Sequence, residues 1–188
     1  AGATAPCFAV TGDHRFHHAA MEAHRCQATT PSDLGTVLVA LDATIEILGT
    51  EGRRVISAGE LYSGPGESVV RPDEVLCAIR IPAAARLRVA EFRKLALWSG
   101  DFATASVTVS RLPESSPHHR VVLGALAPIP WRAIETEAAL DRGDSTENVL
   151  SVFDDELSRH GHPLSGNAWK LDAAVGLLGK ALSALPSD

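Results

Sequence analysis

The sequence predicts an α+β fold, and three observations predict it. Strand patterns dominate up to residue 126 and helical patterns follow, the order expected when helices are segregated from an antiparallel sheet. The strand patterns at 88–97, 102–112 and 121–126 are neighbours, with a polar connection at 113–119, which suits a three-stranded antiparallel sheet. Helical patterns at 131–140, 145–159 and 167–185 then close the chain as a bundle.

Taken in order, residues 7–26 are histidine-rich and poorly periodic, and read as a surface loop with two small buried thiols, Cys7 and Cys26. Residues 30–43 read as a helix. Thr30 caps it, Pro31 suits its first position, and Asp33 completes a capping-box arrangement. Leu34, Val37, Leu38 and Leu41 fall on one stripe, the expected buried face. Residues 44–48 alternate and are β-branched, 49–52 form a turn, and 53–57 return as the second arm of a hairpin. Residues 59–66 are a short irregular element. Residues 74–81 form the clearest strand, with Cys77 packed inside it, and Pro82 ends it. Ala83-Ala84-Ala85 marks a boundary, giving expected domains at 1–84 and 85–188. In the later helices Ser145 caps a stripe of Val149, Leu150, Phe153 and Leu157, and Leu171, Val175, Leu178 and Leu182 form another.

Composition narrows the classes of function. A chain of 188 residues suits one domain or two small ones, at ~100–200 residues each. Its hydrophobic share of 45% permits a real core. The formal net charge of -6 argues against a nucleic-acid binder, which carries a basic face. No apolar run is long enough to span a bilayer, and no segment at the start reads as a signal peptide. Three widely spread cysteines suggest no disulfide framework and fit a reducing cytoplasm. The chain opens Ala1-Gly2-Ala3, without methionine and without an element before Cys7, so a processed or truncated N-terminus is expected.

Few residues announce chemistry. There is no nucleophile elbow, no P-loop and no Rossmann G-x-G-x-x-G. The hydroxyl and carboxylate at the start of the 30–43 helix lie beside unpaired N–H groups, where an anion or a ribose can be gripped; the plainer reading is a helix start. Four histidines and two cysteines between Cys7 and Cys26 invite a metal reading, but neither cysteine has a partner at zinc-site spacing. Asp13 with His14, His17 or His18 forms a candidate acid/base pair, set against an exposed polar loop. Lys94, between apolar strand residues, and Asp101, after a turn, face either a cleft or solvent.

Five ordered blocks carry a resemblance. They are Gly12-Asp13-His14-Arg15-Phe16-His17; Pro31-Ser32-Asp33-Leu34 with Ala40-Leu41-Asp42-Ala43; Pro72-Asp73-Glu74-Val75-Leu76 with Ile79-Arg80-Ile81-Pro82; Lys94-Leu95 with Gly100-Asp101-Phe102-Ala103-Thr104-Ala105; and Leu123-Gly124-Ala125-Leu126-Ala127-Pro128-Ile129-Pro130-Trp131-Arg132-Ala133. In this order they resemble the FAD-binding medium subunit of the xanthine dehydrogenase / carbon monoxide dehydrogenase family of molybdenum hydroxylases. The resemblance implies the remnant of a second FAD-binding subdomain, then a three-stranded sheet with a C-terminal helix bundle. It implies FAD as cofactor, relaying electrons from iron–sulfur centres to an external acceptor, and partners in the form of other subunits or a separate N-terminal FAD subdomain. By the same resemblance Asp33 meets the adenosine side of FAD, Leu76 packs near the flavin, and Lys94 contacts the cofactor. Cys7 and Cys26 flank Gly12–His17 as the last two cluster cysteines do in aldehyde-oxidising members with a [4Fe-4S] cluster. Four thiolates are needed, and Cys77 in a different strand does not complete the set.

The departures carry expectations too. The family's two glycine-rich loops, which hold the FAD pyrophosphate, are absent from these 188 residues, so weak FAD binding by this chain alone is expected. Where relatives carry further basic residues after the lysine, this sequence has Leu95-Ala96-Leu97-Trp98-Ser99. The first functional expectation is a flavin-subunit portion of an oxidoreductase; the alternative is a flavin-free descendant that binds or cyclises a small molecule or serves as a scaffold. Apolar surface left by a missing subdomain predicts association, with another chain or as a homo-oligomer.

Overall fold

The computed structural model describes residues 7–24, 26–113 and 119–186. The chain enters as irregular backbone with one tight turn at Phe8–Val10, then forms helix α1 (Asp33–Ala40). The cap of α1 is Ser32, not Thr30: Ser32 is extended, and its hydroxyl oxygen accepts a hydrogen bond from the Gly35 N–H at 3.0 Å. Thr30 instead donates to the Pro128 carbonyl at 2.7 Å, a partner 98 residues away that no local pattern reveals. The expected stripe is also rotated. Leu34 is 58% exposed, while Gly35, Thr36, Leu38, Val39 and Ala40 are buried. The reason is that α1 is wedged between two sheets and buries two sides at once.

The first sheet has the order β2-β1-β5, all antiparallel: β1 (Thr44–Gly49) pairs with β2 (Gly52–Ser57) through the turn between them and with β5 (Val75–Arg80) on its other edge. Ile45 and Ile47 of β1 pack against Leu38 and Val39 of α1. Between the second and last of these strands, Ser57 and Glu60 form the chain's capping box, Glu60 accepting from the Ser57 N–H at 2.8 Å. A small ribbon, β3 (Tyr62–Gly64) with β4 (Glu67–Ser68), fills the irregular stretch. Cys77 is exposed rather than packed, because β5 is an edge strand covered by no helix.

The second sheet runs β6 (Val89–Leu95), β7 (Ala105–Arg111), β8 (His119–Gly124) and β9 (Trp131–Arg132), antiparallel in sequence order. The expected three strands gain a short fourth, since Trp131 and Arg132 pair with Leu123 and Val122 before helix α2 (Ile134–Asp141) starts. Helices α3 (Thr146–His160) and α4 (Trp169–Ala184) complete the bundle; Ser145 caps α3 as expected, accepting from the Asn148 N–H at 3.3 Å. Phe153, Leu157, Leu178 and Ala181 pack on Val107, Val109, Val121 and Leu123. Burying a large apolar side chain stabilises by about 1.5–3 kcal/mol, so this is the main core.

Segments on either side of residue 84 are interleaved. Met21, from the irregular start, lies in the core of the bundle, and Val122 of β8 lies in the core under α1. The loop before α4 grips the early chain: Asn167 donates to the Ala19 carbonyl at 2.9 Å, and Lys170 donates to the His18 and Ala125 carbonyls, each at 2.6 Å. Lys170 is fully buried, and burial pushes its ammonium down to about 7.

Candidate functional site

Two of the three singled-out residues meet. Asp33 is the first residue of α1, and Lys94 is on β6, 61 residues later; Lys94 Nζ donates to Asp33 Oδ2 at 2.7 Å. The register of β6 explains how. Lys94 lies opposite Ser106 of β7, and the same face carries Thr108 and Ser110, which bond α1 directly. Thr108 donates to the Thr36 hydroxyl at 3.1 Å, and Ser110 donates to the Ala40 carbonyl at 2.5 Å. At Gly124 on β8 a Cβ would come 2.7 Å from Thr36 Cγ2, so the close approach of α1 requires glycine there. The far end of α1 is held as well: Asp42, at φ 53, takes Arg120 at 2.8 Å and also pairs with Arg88. The helix is therefore tied to the second sheet at both ends and along its length, and the Asp33–Lys94 pair sits at the end that opens to solvent. Asp33 Oδ1 has no hydrogen-bond partner among the described residues, and both side chains keep partial exposure.

Leu76 is placed differently. It lies on β5 opposite Ile47, which puts it on the face of the first sheet that α1 covers. It is 39% exposed, and β5 packs along β1 rather than against α1 or β6. The structure joins Asp33 to Lys94 and leaves Leu76 on a separate apolar ledge with Ile79.

The histidine segment does not form the acid/base pair that its composition suggests. Asp13 pairs with Arg15 at 2.8 Å, and that guanidinium holds its carboxyl well below the usual carboxylate range. His14 is a packing histidine: its Nε2 accepts from the Gly166 N–H at 3.0 Å, so the proton is on Nδ1, which donates to the Ala9 carbonyl at 2.7 Å. Burial, then the charge of Lys170, lowers the pKa of His18. Cys7 and Cys26 are brought together, but Cys7 is half-buried and Cys26 exposed, so they are not the two buried thiols expected. The backbone N–H of Gln27, then that of Ala9, holds the Cys7 thiol below its ordinary pKa, with the Cys26 thiol adding to this. Among the described residues no group of three or more His, Cys, Asp and Glu can hold a metal ion. The Cys7–Cys26 pair alone does not fit a four-thiolate cluster.

Sequence reasoning missed two features: Asp42 anchors two arginines, and Glu74 is clamped under Arg54. Asp101, which the sequence did single out, has a buried Oδ2 with no hydrogen-bond partner among the described residues. The Arg54 guanidinium, then the Arg71 N–H, draws the Glu74 carboxyl down to about 2. For Asp42 the local signal is a carboxylate within an otherwise apolar run, Ala40-Leu41-Asp42-Ala43.

Comparison with known proteins decides what this arrangement belongs to. Residues 23–84 match the family described as the FAD binding domain in molybdopterin dehydrogenase. Over 183 residues, 94% of the chain, the sequence is 30% identical to the aldehyde oxidoreductase FAD-binding subunit PaoB of Escherichia coli (strain K12), of which it covers 55%. The chain is similar, along nearly its whole length, to FAD-binding medium subunits of the molybdenum hydroxylase type. A second relative, the carbon monoxide dehydrogenase medium chain of Afipia carboxidovorans, is 35% identical over 78 residues, covering 42% of this chain and 27% of that one. The likeness extends to the fold. A solved carbon monoxide dehydrogenase from Hydrogenophaga pseudoflava superposes with a TM-score of 0.72 at 29% identity, over 82% of this chain and 56% of that one. The chain thus spans about half the length of the full-coverage medium-subunit relatives it matches.

Proposed function

We propose that this chain forms one wall of an FAD site in a multi-subunit molybdenum hydroxylase-type oxidoreductase in the cytoplasm. The observation that carries the reading is the Asp33–Lys94 pair at the open end of α1. The pair fits the hydroxyl-rich part of FAD: Asp33 Oδ1 is left to accept a ribose hydroxyl, and the Lys94 ammonium has further N–H groups to donate to a carbonyl or phosphate oxygen. Leu76, with Ile79 beside it, supplies an apolar surface for a flavin edge. The pyrophosphate has no glycine-rich cradle in these 188 residues, so the phosphate clamp comes from another segment or chain. FAD, when bound, supplies one- and two-electron transfer between iron–sulfur centres and an acceptor. The residues here orient it: α1 fixes Asp33, β6 fixes Lys94, and the hydroxyl ladder of β7 holds the two elements in register. On this reading 1–84 is the partial FAD-binding subdomain and 85–188 the C-terminal flavoprotein domain.

The test is an FAD titration of the chain, alone and with its partner subunit, followed by flavin absorbance and fluorescence. Weak binding alone and tight binding in the complex are expected, with Asp33→Ala and Lys94→Met each weakening the complex about tenfold, roughly 1.4 kcal/mol. A colourless complex in the presence of FAD removes the reading. It favours the flavin-free alternative, for which the exposed Trp98 and Phe102, at 64% and 61%, supply aromatic surface.

A further inference from the structure

Cys7 and Cys26 stand at the two ends of the histidine-rich segment, and each end is fixed by bonds that do not involve sulfur. At the first end the Val10 N–H donates to the Cys7 carbonyl at 3.1 Å and closes a tight turn. His14 pins that turn to the loop before α4, with Nδ1 donating to the Ala9 carbonyl at 2.7 Å and Nε2 accepting from the Gly166 N–H at 3.0 Å. At the second end the Ala19 N–H donates to the Gln27 carbonyl at 2.7 Å, and His18 and Ala28 form a bridge beside it. The Ala20 and Met21 N–H groups both donate to the Leu126 carbonyl, which ties this end to the second sheet. The outcome is a meeting of the two ends: the Cys7 sulfur accepts from the Gln27 N–H and is in hydrogen-bond contact with the Cys26 thiol.

The chemistry of the pair follows from what surrounds it. Among the described residues no third His, Cys, Asp or Glu joins the two thiols, so they do not make a metal site. Cys77 is on β5 and takes no part. The N–H groups that meet the Cys7 sulfur favour its thiolate, the nucleophilic form of cysteine. Cys26 is exposed, so a small reagent reaches the pair from solvent. Two thiols in contact, one of them activated and one accessible, are arranged for thiol–disulfide exchange.

We infer that Cys7 and Cys26 form a reversible disulfide that closes the 7–26 loop. The oxidant is a low-molecular-weight disulfide. The Cys7 thiolate attacks one sulfur of that reagent, and its other sulfur leaves as a thiolate. Cys26 then loses its proton and attacks the Cys7 sulfur, which expels the second small thiolate. One sulfur–sulfur bond breaks and one forms; two cysteine thiols are oxidised, the reagent is reduced to two thiols, and the two protons end on them. Closing the loop staples the segment that carries Met21 into the bundle core. In a reducing compartment such a bond is transient and redox-sensing, not structural. No residue of the Asp33–Lys94 pair takes part, so the inference stands independently of FAD binding.

The full chain carrying Cys77→Ser, which removes the exposed thiol of β5, is reduced, desalted, incubated with oxidised glutathione and alkylated, then measured by intact mass and non-reducing peptide mapping. A monomer about 2 Da lighter than the reduced chain is expected, with a linked Cys7–Cys26 peptide that dithiothreitol abolishes. Glutathione should remain on fewer than about one chain in ten, because a thiol already in contact acts at a high effective concentration. Cys7→Ser should instead retain one glutathione on Cys26. The wild-type chain mapped in the same way decides the matter should either variant fail to fold. Glutathione on both thiols with no linked peptide overturns the inference, as does a disulfide-linked dimer. So does an iron–sulfur cluster, present in the purified chain or formed with ferrous iron and sulfide, that Cys7→Ser abolishes, since the pair is then a set of metal ligands.

Discussion

The two faces of the second sheet are built from alternate residues of the same strands, yet they are held by different forces. On β7, Ala105, Val107 and Val109 face the bundle and are covered by Phe153 and Leu178. Ser106, Thr108 and Ser110 face α1 and meet it through hydroxyls, a backbone carbonyl and a glycine. The apolar face stabilises in proportion to the area it buries and has no directional requirement. The polar face adds little by area but specifies where α1 sits, because a hydrogen bond weakens steeply with distance and angle. The Asp33–Lys94 pair is on the face that specifies position. The lesson is that stability and site geometry are divided between the two sides of one sheet.

The largest effect expected comes from a cation on the apolar side. The folded chain releases the Lys170 proton at about 7, against an ordinary value of 10.5, while the unfolded chain keeps it up to the ordinary value. Between those limits the unfolded state binds more protons, so stability rises with pH through the window, and below it the folded state bears the whole cost of the buried charge. The swing is roughly 5 kcal/mol. Urea unfolding at several pH values from 6 to 10 checks this, and Lys170→Met should flatten the profile. A flat wild-type profile would mean that Lys170 keeps its charge at no cost.

Phe153→Ala comes next. It empties the apolar face and should cost about 3–5 kcal/mol in urea unfolding, while the FAD affinity of the folded fraction is unchanged. If affinity falls in step with stability, the division between the faces is wrong. Asp42→Asn keeps a residue that tolerates the left-handed backbone but removes the charge facing Arg88 and Arg120. A cost of about 2 kcal/mol is expected, with a measurable loss of FAD affinity because α1 loses its far anchor. Asp33→Ala has the smallest effect on stability, within about 1 kcal/mol for a pair this exposed, and the largest on the ligand. Finding the reverse, a large loss of stability with FAD binding intact, would make the pair a strut and not a contact.

Much of the fold was legible. The alternation of residues 44–48, 53–57 and 74–81 forms the first sheet, and Ser145 caps the stripe of Val149, Phe153 and Leu157. Errors arose where two local candidates competed. Thr30 and Ser32 both suit an N-cap, and the choice went to Ser32 because the Pro128 carbonyl takes the Thr30 hydroxyl. The apolar stripe through Leu34 assumed one buried face, whereas α1 has a sheet on each side and buries Gly35 and Thr36 instead. Of the site, the residues themselves marked Asp33 at a helix start and Lys94 inside a strand, the resemblance gave both a role toward the cofactor, and nothing in the spacing linked them. Asp13 beside His14 and His18 suggested a dyad, but a nearby arginine competes better for a carboxylate than a neutral imidazole does.

By itself the sequence determined most of the strands and helices, the order in which they come and the resemblance they carry. These depend on side-chain periodicity and backbone preference over a few residues, which act before any distant contact forms. The tertiary structure alone decided that Asp33 meets Lys94 and that Asp42 serves two arginines. Each of these joins residues far apart in the chain. Which of them come together is set by how α1 and α4 seat on the two faces of one sheet, a property of packed volumes that no short stretch encodes.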